Sequence, residues 1–258
     1  MDLGIAGKRA LVCAGSKGLG FGCAEALARA GVALVLNARN AAPLEEAAAR
    51  LRRHGVEVQT VAADITDPDG QARVLAAAGG VDILVTNAGG PPPGMWSDWD
   101  RSDFQKALDA NMLTPIALMT ALLPGMIDRG WGRVVNITSK SVRAPIAQLG
   151  LSNAARSGLT GYVAGTARQV APHGVTVNNI LPGTHATARS DALDQGRAAR
   201  DGVDIDEARR RGEAAIPTLS YGDPADFGAV CAFLCSQQAR FIVGQNILVD
   251  GGETNLTM

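Results

Sequence analysis

Apolar positions along this chain follow two periods, and the two alternate. Short unbroken apolar runs bounded by turn residues lie at Lys8–Ala14, Val32–Leu36, Val56–Ala62, Val81–Thr86, Arg133–Thr138, Val175–Leu181 and Gln245–Val249. Such runs predict strands buried on both faces. Between them, Ala- and Leu-rich stretches with helical spacing cover Gly18–Ala30, Pro43–His54, Pro68–Ala78, Ser102–Arg129, Leu149–Ala171 and Pro224–Ser236. Proline opens three of these stretches, and Gly31 and Gly55 close two, as helix starts and stops require. Pro115 predicts a kink in the fourth. Strand alternating with helix implies one parallel sheet with helices on both faces, a doubly wound α/β fold. The alternation fails only over 184–217, which is polar and rich in Arg and Asp. No linker divides the chain, so 1–258 reads as one domain with 184–217 inserted in it.

Composition removes several function classes. The 258 residues carry a net charge of −1, which gives no basic footprint for nucleic acid or an anionic membrane surface. The first residues lack an apolar signal segment, so a cytoplasmic protein is expected. The most apolar stretch, Met112–Ile127, is interrupted by Thr114, Pro115, Thr120, Pro124 and Gly125 and reads as a buried helix. Cys231 and Cys235 stand one helical turn apart, but no second Cys or His pair lies near them in sequence. They read as small buried residues, and no metal site is expected.

Candidate chemistry sits where strands end, as this architecture predicts. Gly15, Gly18 and Gly20 follow the first strand and open a helix. A glycine turn there lets a phosphate approach the helix N-terminus, whose free N–H groups and dipole favour anions. Arg39 lies just past the second strand, where the adenosine ribose of a dinucleotide sits. An acidic residue there would bind the ribose hydroxyls, whereas an Arg suits a 2′-phosphate. With Lys17 it favours NADP(H) over NAD(H); the alternative is two solvated surface charges. Asp64, after the third strand, is either an acceptor for an adenine amino group or a helix cap.

These landmarks occur in order with Asn87-Ala88-Gly89, Asn111, Asn136-Ile137-Thr138-Ser139, Asn178 to Gly183 and Asp250-Gly251-Gly252. Together they resemble the short-chain dehydrogenase/reductase family over nearly the whole chain, most of all its 3-oxoacyl-(acyl-carrier-protein) reductase group. The resemblance implies a Rossmann fold with sheet order 3-2-1-4-5-6-7 and a homotetramer, or else a homodimer, built partly on helices 102–129 and 149–171. It also implies a cofactor site of Gly15, Ser16, Lys17, Gly18, Leu19, Gly20, Arg39, Asp64, Ile65, Asn87, Ala88, Gly89, Arg156, Pro182, Gly183 and Thr187.

Two departures stand out. The family's glycine motif begins Thr-Gly, and here those positions are Cys13 and Ala14. Ala14 fits if its φ is negative. The family's catalytic set is Asn, Ser, Tyr and Lys. Asn111 and Ser139 match, but the Tyr and Lys positions hold Ser152 and Arg156. Ser152 and Arg156 keep the one-turn geometry on a helix face without a phenol's acidity. His185, three residues past Pro182, is either a replacement acid or a polar loop residue. Lys140 and Tyr221 are further polar candidates, and the arginines of 184–217 either bind an anionic substrate or balance neighbouring acids.

The expected activity is NADP(H)-dependent reduction of a small-molecule carbonyl, such as a 3-oxoacyl thioester, aldehyde or ketone, or oxidation of the alcohol. Asn111, Ser139, Ser152, Arg156 and His185 are the candidate catalytic residues. The alternatives are a non-catalytic NADP(H)-binding protein and a non-redox lyase or isomerase on the same fold.

Overall fold

The computed structural model describes residues 1–256. Strands β1 (Arg9–Cys13), β2 (Ala33–Ala38), β3 (Val58–Ala62), β4 (Ile83–Thr86), β5 (Gly132–Ile137), β6 (Val175–Pro182) and β7 (Asn246–Val249) form one sheet. Its order is β3-β2-β1-β4-β5-β6-β7 and every pairing is parallel. Each predicted strand is present, with ends shifted by a residue or two.

Alternate residues of a strand face opposite sides of a sheet, and β1 shows how that builds two cores. Ala10 and Val12 pack with Leu27 of helix α1 (Gly18–Arg29), Leu44 and Leu51 of α2 (Ala41–Arg52), and Phe227 of α9 (Pro224–Leu234). Leu11 and Cys13 face the other way. They join Val74 of α3 (Pro68–Ala78), Leu118 and Met119 of α5 (Thr114–Asp128), and Leu159 and Val163 of α6 (Gly150–Val170). The result is a sheet between two helical layers.

The predicted helix 102–129 is broken, though not by Pro115. Helix α4 (Arg101–Leu108) passes through a π-turn at Asp109–Leu113 before α5 begins, and Pro115 sits in the first turn of α5. An extra residue in a helical turn re-aims side chains, and such turns gather at functional sites. By length and composition alone Arg101–Asp128 is long and apolar enough to cross a membrane; here Leu118, Met119 and Met126 of α5 are buried in the second core.

The polar segment after β6 folds as two helices, α7 (Ala188–Asp201) and α8 (Ile205–Ala214), joined at Gly202, whose φ of +66° ends α7. Asp194 of α7 is buried. It accepts from the Tyr221 hydroxyl and from Arg197 Nη1, both at 2.7 Å. Arg197 also donates to the Ala208 carbonyl, which ties α7 to α8.

Candidate active site

The strand order reverses direction between β1 and β4, so the chain leaves those strands toward opposite sides and opens a crevice at their carboxyl ends. The glycine loop forms one wall. Gly15 N–H donates to the Asn37 carbonyl at 3.0 Å, and Gly18 takes φ +57°. A Cβ on Gly20 would lie 2.3 Å from the Ala14 carbonyl oxygen, so α1 packs here on bare backbone. Ser16 and Leu19 are half-buried, with Leu19 against the first core. Ala14 has φ +49°. The expectation of a negative φ is therefore wrong: the position keeps the left-handed turn of the family glycine and carries the methyl at a cost of about 1–2 kcal/mol. Cys13 is buried and accepts the Asn87 backbone N–H; burial pushes its thiol up to about 12, which keeps it protonated.

The N-terminus of α1 has no side-chain cap and no acidic residue in its first turn. Aspartates cap α3, α4, α8 and α9. The free N–H groups of α1 are thus available to an anion. Across the crevice, the Thr187 methyl faces Gly18 at a distance that would leave 3.4 Å to a Cβ. Pro182 ends β6, and Gly183 N–H donates to the Val249 carbonyl at 2.9 Å. A side chain at Gly183 would strike Asp250. Lys17 and Arg39 are exposed, and neither has an acidic partner within salt-bridge distance among the described residues. Asp64 accepts from Thr66 N–H and hydroxyl through one oxygen, which holds its carboxyl below the usual range, and Arg39 adds to the effect. Ile65 packs on the second core beside it. These features fit a dinucleotide: an uncapped helix for the diphosphate, two unpaired cations toward the adenosine end, and clear space over Gly89, where a Cβ would meet no atom within 4 Å.

The turn after β4 organises the rest of the crevice. Three successive carbonyls accept from three different elements. Arg156 Nη2 of α6 donates to Ala88 at 3.3 Å, Asn111 Nδ2 of the π-turn approaches Gly89 at 3.5 Å, and Arg189 Nη1 of α7 reaches Gly90 at 3.4 Å. Arg156 Nη1 also donates to the carbonyls of Ile137 and Thr138, each at 2.8 Å. The Arg156 guanidinium is buried without a carboxylate, and desolvation, with the Arg189 charge nearby, lowers it from 12.5 to about 10. Asn111 Oδ1 is buried and accepts no protein hydrogen bond. Ser139 lies two residues past β5, where it caps the short turn Lys140–Val142 and accepts Ser141 N–H at 3.1 Å. Ser152 is 5% exposed, one turn before Arg156 on α6. Asn111 and Arg156 thus meet the same turn, Arg156 also binds the carbonyl before Ser139, and Ser152 stands one turn from Arg156 on α6.

His185 makes its own contacts on another element. It forms a β-bridge with Gly222, its Nδ1 lies 3.1 Å from the Gly183 carbonyl, and its ring meets Phe227 edge-on. Burial lowers its pKa, against weaker raising by the Gly183 carbonyl, Asp223 and Asp226. The bridge to Gly222 and the contact with Phe227 turn the ring toward α9. Lys140 is paired with Glu253. The chain's two tyrosines are also accounted for elsewhere. Tyr221 bonds Asp194, and Tyr162 lines an outer groove between α5 and α6. Sequence reasoning missed the buried amide chain beneath the site. Thr86 donates to Asn136, Asn136 to Asn179, and Asn179 to Asn246, across β4, β5, β6 and β7. Asn residues inside apolar runs were its only signal.

A family model described as enoyl-(acyl carrier protein) reductase matches residues 13–254. Human dehydrogenase/reductase SDR family member 4 is 30% identical over 253 residues, covering 96% of this chain and 88% of that protein. The chain belongs to the short-chain dehydrogenase/reductase family. A 3-oxoacyl-(acyl-carrier-protein) reductase, FabG, from Vibrio cholerae is 32% identical over 256 residues, covering 97% of this chain and 98% of that one. Among solved structures, L-sorbose reductase from Gluconobacter frateurii, complexed with NADPH and L-sorbose, superposes with a TM-score of 0.94 at 29% identity, covering 99% and 100% of the two chains. Actinorhodin polyketide ketoreductase with NADPH gives 0.91 at 26%, covering 96% and 98%. In this short-chain dehydrogenase/reductase fold, the Asn87–Gly90 turn follows β4.

Proposed function

We propose that this chain is an NADP(H)-dependent oxidoreductase acting on a small carbonyl compound or its alcohol through an atypical active site. The observation that carries the reading is the crevice itself: an uncapped α1, unpaired Lys17 and Arg39, and Asn111, Ser139, Ser152 and Arg156 gathered at the far end. NADPH-bound relatives of the same fold support the choice of cofactor. Lys17 and Arg39 would hold the 2′-phosphate, Asp64 the adenine, and the α1 N-terminus with Thr187 the diphosphate. The cofactor supplies or accepts the hydride.

The chain's own residues do the rest. Ser139 and Ser152 would hold the carbonyl oxygen by hydrogen bonds. Neither serine is a strong acid without a base beside it. Arg156 keeps its charge at neutral pH and holds the ends of β4 and β5 together, so it positions and does not shuttle protons. Asn111, with one buried oxygen lacking a protein partner, fits a water that carries the proton to the oxygen. The helices of 184–217 form the wall over the substrate. The face of α5 and α6 around Gly161 and Gly165, where added side chains would meet nothing within 4 Å, would carry subunit contacts of a homotetramer. We place the protein in the cytoplasm.

The test is NADPH oxidation, followed by absorbance, with a panel of 3-oxoacyl thioesters, sugar ketones, aldehydes and simple ketones, after NADPH binding is measured directly. Turnover of at least one class is expected. Saturable NADPH binding with no turnover of any panel member overturns the reading.

A further inference from the structure

The three carbonyls of the Asn87–Gly90 turn are unevenly held. Asn111 is neutral, but Arg156 and Arg189 put two guanidinium groups on carbonyls two residues apart. Like charges on one short turn repel, most of all where one of them is buried. No carboxylate lies within 4 Å of either guanidinium among the described residues. The nearest acid in sequence, Asp191, is engaged by Arg209. Other basic clusters of this chain are balanced: Arg210 and Arg211 share Glu207, Arg209 has Glu213, and Arg197 has Asp194.

Arg189 is also oddly placed for a structural residue. It stands in the first turn of α7, where the helix dipole disfavours a cation. Its side chain folds back over Gly90, so that a Cβ there would lie 3.0 Å from both terminal nitrogens. The bond that holds it, 3.4 Å to a neutral carbonyl, is long, and a bidentate bond to an anion is far stronger. Between the two arginines, the space over Gly89 is open.

We infer that Arg189, supported by the buried Arg156, is a receptor for an anionic oxygen group over the Asn87–Gly90 turn. The group is a carboxylate or phosphate, with Arg189 exchanging the Gly90 carbonyl for it. The inference deepens the proposed function, on which it rests, by assigning an anion contact beside the reacting carbonyl. That anion is either the diphosphate of the dinucleotide or an acidic group on the substrate, and the two sources separate experimentally.

The test uses equilibrium binding to the intact protein, so it does not depend on turnover. Dissociation constants for NADPH and, with NADPH saturating, for malonate are measured for the wild type, Arg189→Ala, Arg189→Gln and Arg189→Lys. If the anion is on the substrate, Arg189→Ala and Arg189→Gln weaken malonate at least tenfold and leave NADPH within twofold. If it is the diphosphate, the same variants weaken NADPH at least tenfold. Arg189→Lys retains part of the affinity in either case, because charge is kept while the planar fork is lost. Affinities for both ligands within twofold of wild type in Arg189→Ala and Arg189→Gln overturn the inference, whether or not the protein proves to be an active reductase. Melting curves of each variant exclude loss of fold as the cause, and Arg189→Gln preserves reach and hydrogen bonding if Arg189→Ala is unstable.

Discussion

On the proposed function, placing a phenol and an ammonium on α6 should raise turnover. In the double variant Ser152→Tyr with Arg156→Lys, the two new groups stand one helical turn apart on the face that already carries Ser152 and Arg156 toward the end of β5. A positioned general acid is worth roughly 10²–10⁴-fold, or about 3–5 kcal/mol of barrier. The structure also sets what opposes the gain. Arg156 satisfies the carbonyls of Ile137, Thr138 and Ala88 through a planar fork. A lysine loses the fork, and leaving one buried carbonyl unpaired costs about 1–3 kcal/mol. A ring at the buried Ser152 adds about 1–3 kcal/mol of crowding. The sum is smaller than the stability of most domains, about 5–15 kcal/mol, so the variant folds at 25 °C with a lower Tm.

The assay is kcat/KM for NADPH oxidation across pH, with the carbonyl substrate that the wild type turns over best. The expected result is a rise of at least about 100-fold, the lower end of the general-acid range, with a new alkaline limb. The limb has a cause in this structure: the burial that lowers Arg156 to about 10 also lowers a lysine there from its ordinary value, and once it is neutral it no longer acidifies the phenol. A variant that melts cooperatively and binds NADPH like the wild type, yet gains less than threefold, would refute the assignment of these two positions.

Three further outcomes follow from individual residues. Arg39→Asp should weaken NADPH roughly 10–150-fold, the worth of one charge-assisted bond of about 1.5–3 kcal/mol, and change NADH by less than threefold; equal loss for both cofactors in titrations refutes the 2′-phosphate role. Ala14→Gly relieves about 1–2 kcal/mol of left-handed strain at φ +49° and adds about 0.4–1 kcal/mol of unfolded-state freedom, so urea unfolding should show a net gain of up to about 1.5 kcal/mol; a loss above about 1 kcal/mol contradicts the backbone reading. His185 has a pKa lowered chiefly by burial, so the unfolded chain binds its proton first as pH falls. Stability is full above the unfolded value of about 6.5 and declines as pH drops through the folded value; His185→Leu should flatten that decline in Tm between neutral and acid pH and leave turnover within threefold, and a large loss of turnover would return His185 to the active site.

The sheet was legible because parallel strands buried on both faces are nearly pure apolar runs, and Leu11, Val35, Leu84 and Val177 illustrate it. Asn111, Ser139, Ser152 and Arg156 were singled out by motif order, and the shared turn that Asn111 and Arg156 bind after β4 gives that order a physical basis. Other features were hidden for physical reasons. A π-turn at Asp109–Leu113 leaves no mark in composition, since helical periodicity looks continuous across it. The sign of φ at Ala14 cannot be read from alanine, which shows only that a methyl is present. The contacts of His185 were hidden because distance along the chain from Pro182 says nothing about the bridge to Gly222 that turns the ring inward. The two helices of 184–217 were masked by charge: polar links, Arg197 of α7 to the Ala208 carbonyl and Arg209 of α8 to Asp191, join them in place of a broad apolar stripe.

The changes at Ser152 and Arg156 belong together, and that is open to measurement. A lysine one turn from a tyrosine is useful because its charge makes the phenol a better acid. On the proposed function, with Ser152 in place of a phenol nothing at the site requires an ammonium, and the Arg156 guanidinium binds three carbonyls that join β4, β5 and α6. Restoring lysine alone therefore sacrifices the fork with no acid to assist, and Arg156→Lys should change kcat/KM by less than threefold while lowering Tm. Restoring tyrosine alone places a phenol beside a cation whose donors are already committed to backbone, so Ser152→Tyr should recover only part of the gain. The double-mutant cycle on log kcat/KM should then show a favourable coupling of at least about 1 kcal/mol between the two positions. Additive effects would mean that the two residues act independently, and that Arg156 is a strut of the fold with no bearing on the chemistry.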